Sequence, residues 1–185
     1  MIENSEDRIV TIFGGSKCGP DSDEYREARE LGLRLAKAGF TICTGGYLGV
    51  MEGASRGARE AGGRVFGIVM NQFKSEPNRY LTDKVATDHF YDRLQNLITR
   101  SVGFVAFRGG MGTVTEVSLV WNKLQTCVLE RRPIVLVGDC WKDVVDAWKK
   151  YLVVSDEDVS FLDFAHDAAG AAKIIVDKCP ANVSL

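Results

Sequence analysis

The sequence predicts an α/β fold, a doubly wound and mostly parallel sheet of the Rossmann-like kind in a single domain. Three observations predict it. Short apolar runs alternate with amphipathic stretches along nearly the whole chain, which is the rhythm of βαβ units. Several of the runs are apolar throughout, as strands are when helices cover both faces of the sheet. Glycine pairs follow the runs at once, at Gly14-Gly15, Gly45-Gly46 and Gly109-Gly110, where strands hand over to helices.

Taken in order, Arg8–Phe13 is the first strand. Asp23–Ala38 is the first helix, because Ala28, Leu31, Leu35 and Ala38 share one face at helical spacing. Strand Phe40–Cys43, helix Val50–Ala61 and strand Arg64–Val69 follow. Helix Tyr91–Thr99 carries an apolar stripe of Leu94, Leu97 and Ile98, with Arg93, Asn96 and Arg100 on another face. Strand Val102–Phe107 leads into helix Val114–Leu129, strand Pro133–Val137 into helix Lys142–Tyr151, and strand Val159–Phe161 into helix Ala168–Lys178. Residues 1–7 and 180–185 read as tails. The longest interruption, Met70–His89, leaves the carboxyl end of a strand. It is either a lid over the ligand crevice or a surface excursion with a short extra strand around Lys84–Ala86.

At 185 residues and 45% hydrophobic composition, the chain is long enough for one domain with a substantial core. A formal net charge of −2 gives no support for binding a nucleic-acid polymer or an anionic membrane surface. No apolar run is long enough to span a bilayer, and residues 1–7 lack a basic start and an apolar signal core, so a cytoplasmic location is expected. The five cysteines are an odd number without a C-x-x-C pair, which suits reduced intracellular thiols. With only His89 and His166, no metal centre is expected, and each reads as an ordinary side chain.

The chemistry concentrates in the glycine turns. Gly14-Gly15-Ser16 fails the Walker pattern, since Pro20-Asp21 stands where Lys-Ser/Thr would be, and it fails G-x-G-x-x-G. The second strand ends in Thr44-Gly45-Gly46, where a dinucleotide site wants an acid for the ribose, so NAD binding is disfavoured. Backbone contact with a smaller nucleotide stays open. Glu52, after Gly45-Gly46, either serves the site or complements a helix N-terminus. The third turn, Gly109-Gly110-Met111-Gly112-Thr113, leads into Glu116. Side-chain-free residues at a helix start admit a phosphate to free N–H groups, and Glu116 lies one turn further in. The competing reading is local: Thr113-x-x-Glu116 matches a capping box. Arg93 falls at a helix start, the wrong end for the macrodipole, and an anionic partner would explain it.

These residues resemble the LONELY GUY (LOG) family, whose signature G-G-x-G-T-x-x-E stands here as Gly109 to Glu116. The resemblance covers about Arg8 to Trp148. The family's Met-His-Glu-Arg-Lys stretch aligns with Phe90-Tyr91-Asp92-Arg93-Leu94, which keeps the arginine. Gly45-Gly46-Tyr47-Leu48-Gly49-Val50-Met51 is similar to its Gly-Gly-x-x-Gly-x-Met stretch. Arg108 replaces a usual proline, and Glu52 a glycine of the plant-type enzymes. The resemblance implies a Rossmann-like, dimeric or larger protein that cleaves the N-glycosidic bond of nucleoside 5′-monophosphates without a cofactor. Arg93 and Glu116 would be its catalytic pair. Gly109, Gly110, Met111, Gly112 and Thr113 would hold the phosphate, with Gly14, Gly15, Ser16, Gly45 and Gly46 nearby. The family's older label, lysine decarboxylase, finds no lysine in a pyridoxal-phosphate setting.

A nucleotide- or molybdenum-cofactor carrier without turnover is the alternative, since a phosphate cradle serves binding equally well. The broad apolar arc of Val117, Leu119, Val120, Trp121 and Leu124 is explained either by burial against both the sheet and a partner subunit of a homodimer or by the core alone.

Overall fold

A computed structural model describes residues 8–180. The tails assigned to residues 1–7 and 180–185 lie outside it, except for Pro180. Strands β1 (Ile9–Phe13), β2 (Thr41–Thr44), β3 (Val65–Met70), β4 (Asp83–Thr87), β5 (Ser101–Ala106), β6 (Ile134–Val137) and β7 (Leu162–Ala165) form one sheet. Its order is β4-β3-β2-β1-β5-β6-β7, and every pairing is parallel. The helices are α1 (Asp23–Lys37), α2 (Val50–Glu60), α3 (Phe90–Thr99), α4 (Met111–Gln125), α5 (Cys140–Tyr151), α6 (Asp156–Val159) and α7 (Ala168–Lys178). None of these helices is long and apolar enough to cross a membrane.

Alternate residues of each strand feed two cores. Val10, Ile12, Ile42 and Val135 pack with α1, α2 and α7. Phe13, Phe104, Ile134 and Leu136 pack with α3, α4 and α5. With β1, β2, β3 and β6 buried from end to end, the unbroken apolar runs follow from burial on both faces. Each fully buried Leu, Ile or Phe contributes roughly 1.5–3 kcal/mol.

Helix α1 opens on Ser22, whose hydroxyl accepts the Tyr25 N–H. Asp23 and Glu24 in its first turn and Arg34 and Lys37 in its last complement the macrodipole. α1 lies against α2 with the two backbones almost touching. A Cβ on Gly57 would stand 1.8 Å from the Arg29 carbonyl oxygen, and one on Gly32 would stand 2.1 Å from that of Ala54.

The structure corrects three boundaries. Val159–Phe161 is not a strand: Ser155 and Asp158 cap each other reciprocally and open the short α6, so the last strand begins at Leu162. Helix α4 begins at Met111, three residues before the expected Val114, because Gly110 takes the cap position. It also ends early, at Gln125, as Cys127 turns the chain with φ 56°. Within Met70–His89 the short extra strand expected around Lys84–Ala86 is present, as β4.

The connection from β3 to β4, residues 71–82, carries no helix. Asn78 pins it. Its backbone N–H donates to the Gly46 carbonyl at 2.8 Å, its amide donates to the Tyr47 carbonyl at 2.9 Å, and its Oδ1 accepts the Tyr80 N–H. Asn78 is buried, so Asn78→Ala leaves polar groups without partners, at a cost of about 1–3 kcal/mol. Thermal unfolding should show a midpoint lowered by roughly 2–12 °C. An unchanged midpoint would mean that the connection is held elsewhere.

Candidate active site

Strand β1 has β2 on one side and β5 on the other, so the chain reverses its direction of travel across the sheet there. Open α/β sheets bind ligands at the carboxyl ends of the strands beside such a reversal. A cavity of about 300 Å³ lies at this place.

Its floor is backbone from three turns that hold one another. The Gly15 N–H donates to the Arg108 carbonyl at 3.1 Å, and the Gly15 carbonyl accepts the Val50 N–H at 2.9 Å. Gly49 caps α2 with φ 70°, and a Cβ there would lie 2.3 Å from the Gly15 oxygen. Both facts demand glycine. A Cβ on Gly109 would meet Thr113 Oγ1 at 2.1 Å. The N-terminus of α4 opens onto this floor through Gly110, Gly112 and Thr113. No side chain caps α4 and no acid occupies its first turn. The positive end of the macrodipole and first-turn amides without intrahelical acceptors are therefore offered to the cavity, the arrangement that suits an anion.

Thr113 and Glu116 do not form the capping box. With Gly110 at the cap, Thr113 is the third helical residue and is buried. Glu116, a turn further on, faces Arg93 across the cavity at 3.6 Å. Arg93 is 7% exposed, unlike the solvated arginine usual at a helix start. Its Nε donates to the Ile68 carbonyl at 3.0 Å and its Nη2 to that of Gly45 at 3.5 Å. A Cβ on Gly45 would stand 2.2 Å from Nη2, so Gly45 makes room for the guanidinium. Burial pushes the Glu116 carboxyl up to about 7, and Arg93 opposes that rise without cancelling it.

Among the expected site residues, Gly14, Gly15, Ser16, Arg93, Gly110, Gly112, Thr113 and Glu116 line the cavity. Gly45, Gly46, Gly109 and Met111 do not. Gly45 backs Arg93, Gly46 binds Thr44 and Asn78 through its backbone, Gly109 packs on Thr113, and Met111 is exposed. Asn96 and Arg100 line a separate hollow, away from Arg93. Glu52 sits in the first turn of α2, outside the cavity lining. The sequence reading missed Tyr47, Met51, Phe73, Ser75 and Phe90, which also line the cavity. Tyr47 and Met51 stood within the motif already quoted. Phe73 and Ser75 belong to the aperiodic connection after β3, where no spacing signals a role. Burial raises the Cys43 thiol to about 11 and also raises Cys18, so neither supplies a nucleophilic thiolate near neutrality. The described residues hold no cluster of metal-ligating side chains.

The profile of the SLOG cluster4 family matches residues 7–158. The chain belongs to this family. Within it, the LOG-like resemblance of the glycine motif extends over most of the sequence. A cytokinin riboside 5′-monophosphate phosphoribohydrolase of Mycobacterium tuberculosis is 29% identical over 153 residues, covering 80% of each chain. Among solved structures, the molybdenum cofactor carrier protein of Chlamydomonas reinhardtii is 26% identical with a TM-score of 0.71, covering 92% of this chain and 97% of that one. A molybdenum cofactor binding protein of Rippkaea orientalis superposes with a TM-score of 0.75 at 22% identity, over 94% of this chain and 98% of that one. At that identity the likeness speaks for the fold of this SLOG protein alone.

Proposed function

We propose that this SLOG protein hydrolyses the N-glycosidic bond of a nucleoside 5′-monophosphate, giving the free base and ribose 5-phosphate. The observation that carries the reading is the Arg93–Glu116 pair, 3.6 Å apart with the arginine buried and the carboxylate nearly so, beside an uncapped helix N-terminus. A phosphate on the α4 amides sets the ribose next to Glu116. As the base departs, positive charge grows on the sugar, and the carboxylate stabilises it and orients the attacking water. Water adds its oxygen to the anomeric carbon, the glycosidic electron pair leaves with the base, and the water's proton ends on the base. A guanidinium is a poor general acid, so Arg93 is not assigned that part. Its role is electrostatic: it fixes Glu116 and offsets negative charge on the leaving base. The relative from Mycobacterium tuberculosis supports the same reaction class.

The molybdenum cofactor carrier protein of Chlamydomonas reinhardtii, 26% identical, favours a second reading, binding without turnover, because the glycine floor serves either purpose. Binding alone has no need of a buried carboxyl held near neutrality against an arginine. Release of free base from a panel of nucleoside 5′-monophosphates and the matching nucleosides separates the two. Release from the monophosphates alone, lost in Arg93→Ala, is the expected result. Tight binding without release would place the protein with the carriers.

A further inference from the structure

The cavity lining combines two chemically unlike sets of residues. One is backbone, with Gly14, Gly15, Gly110 and Gly112 alongside Ser16 and Thr113. The other is aromatic, formed by Tyr47, Phe73 and Phe90. Arg93 connects them: its guanidinium lies 5.9 Å from the Phe73 ring centre and 3.6 Å from Glu116. Phe73 and Phe90 remain 45% and 42% exposed. Large apolar rings left in water at a concave site are what a flat ligand covers.

Of the two hydroxyls that Tyr47 and Ser75 bring to the lining, that of Tyr47 is already occupied. The Tyr47 hydroxyl accepts the Met70 N–H at 2.9 Å and donates to the Met70 carbonyl at 3.3 Å. Its ring backs Phe73 with centroids 5.5 Å apart. Ser75 supplies the other hydroxyl, two residues after Phe73. Phe90 is the first residue of α3, one turn before Arg93, so one helix carries both an aromatic surface and the charged group that faces the leaving base.

We infer that Phe73 and Phe90 form the base subsite, which grips the nucleobase by stacking and reads little of its hydrogen-bonding edge. This rests on the nucleotide reading above. Every base has a π-face, so stacking tolerates sequence. The site therefore takes purine and pyrimidine monophosphates alike and ranks them by ring area.

The test titrates AMP, GMP, CMP and ribose 5-phosphate calorimetrically into the full chain bearing Glu116→Gln, which keeps substrate intact. The nucleotides should bind more tightly than ribose 5-phosphate, with AMP and GMP within about tenfold of each other. Adding Phe73→Ala or Phe90→Ala should weaken AMP about 5- to 150-fold and leave ribose 5-phosphate within about twofold. Phe73→Leu keeps apolar bulk but no π-face and should also weaken AMP, whereas Phe73→Trp should hold it. In the active chain the phenylalanine variants should raise KM more than they lower kcat. Equal affinity for AMP and ribose 5-phosphate, or equal loss of both in the variants, would overturn the base subsite while leaving the phosphate cradle standing. A hundredfold preference for AMP over GMP would overturn stacking without edge readout. Failure of the chain to bind or cleave any of these ligands would overturn the proposed function itself.

Discussion

If the proposed reaction holds, Glu116→Gln is expected to lower the rate of base release by about 10²–10³, the usual cost of removing one preorganised group that stabilises transition-state charge. Substrate binding should change less, because the proposed phosphate cradle is backbone. With the carboxyl raised to about 7 by burial, activity of the parent chain rises with pH as the carboxylate forms, with its half-point near neutrality. Stability moves the other way. The folded state keeps a proton that the unfolded chain releases near pH 4.5, so this contribution is full below that pH and is lost as pH rises through about 7. Its size is on the order of 3 kcal/mol at most. Denaturant melts of the parent between pH 5 and 8 should show a decline that is shallower in Glu116→Gln. A pH–rate profile flat from pH 5 to 8 would count against Glu116 as the working carboxylate.

Gly57→Leu is expected to be the most damaging substitution outside the cavity. Its Cβ would overlap the Arg29 carbonyl, a main-chain atom with nowhere to turn, and α1 and α2 would have to separate. Overpacking usually costs about 1–3 kcal/mol and sometimes more; here roughly 3 kcal/mol or more is expected, a fall of about 6–12 °C in Tm. Activity should fall as well, because α2 begins at Val50, whose N–H donates to the Gly15 carbonyl in the cavity floor. Gly19→Ala is the control. It is exposed with open space around it and should stay within about 0.5 kcal/mol of the parent.

How much of this was legible depends on the range of the forces involved. Strands β1, β2, β3, β5 and β6 announce themselves because burial on both faces leaves a continuous apolar run. β4 shows only as one of two readings, around Lys84–Ala86, since its sequence Asp83-Lys84-Val85-Ala86-Thr87 is largely exposed at the sheet edge. β7 was misplaced because Phe161 is apolar, while the reciprocal cap of Ser155 and Asp158 commits the preceding residues to a helical turn. Arg93 and Glu116 were both nameable from type and position. Their burial and mutual approach were not, because these depend on Gly45, Ile68 and α4, which meet Arg93 only once the sheet is assembled. The local capping pattern at Thr113 lost to Gly110, a competition that propensity alone does not decide. Phe73 was invisible for a further reason: an aperiodic connection gives no face to count along.

The cavity is built of two materials that differ in how freely they can drift. Its floor is main chain interlocked across Gly15, Gly49 and Gly109, and a side chain at Gly49 or Gly109 would collide with its neighbours. Its rim is half-exposed Phe73 and Phe90, whose replacement disturbs no core. Surface changes away from strained or buried features usually cost within about 0.5 kcal/mol, so selection can rewrite the rim while the floor stays fixed. A lineage that keeps the glycines but exchanges these rings could pass from one cargo to another without refounding its fold, and descendants with a common cradle would then diverge first in what they hold above it.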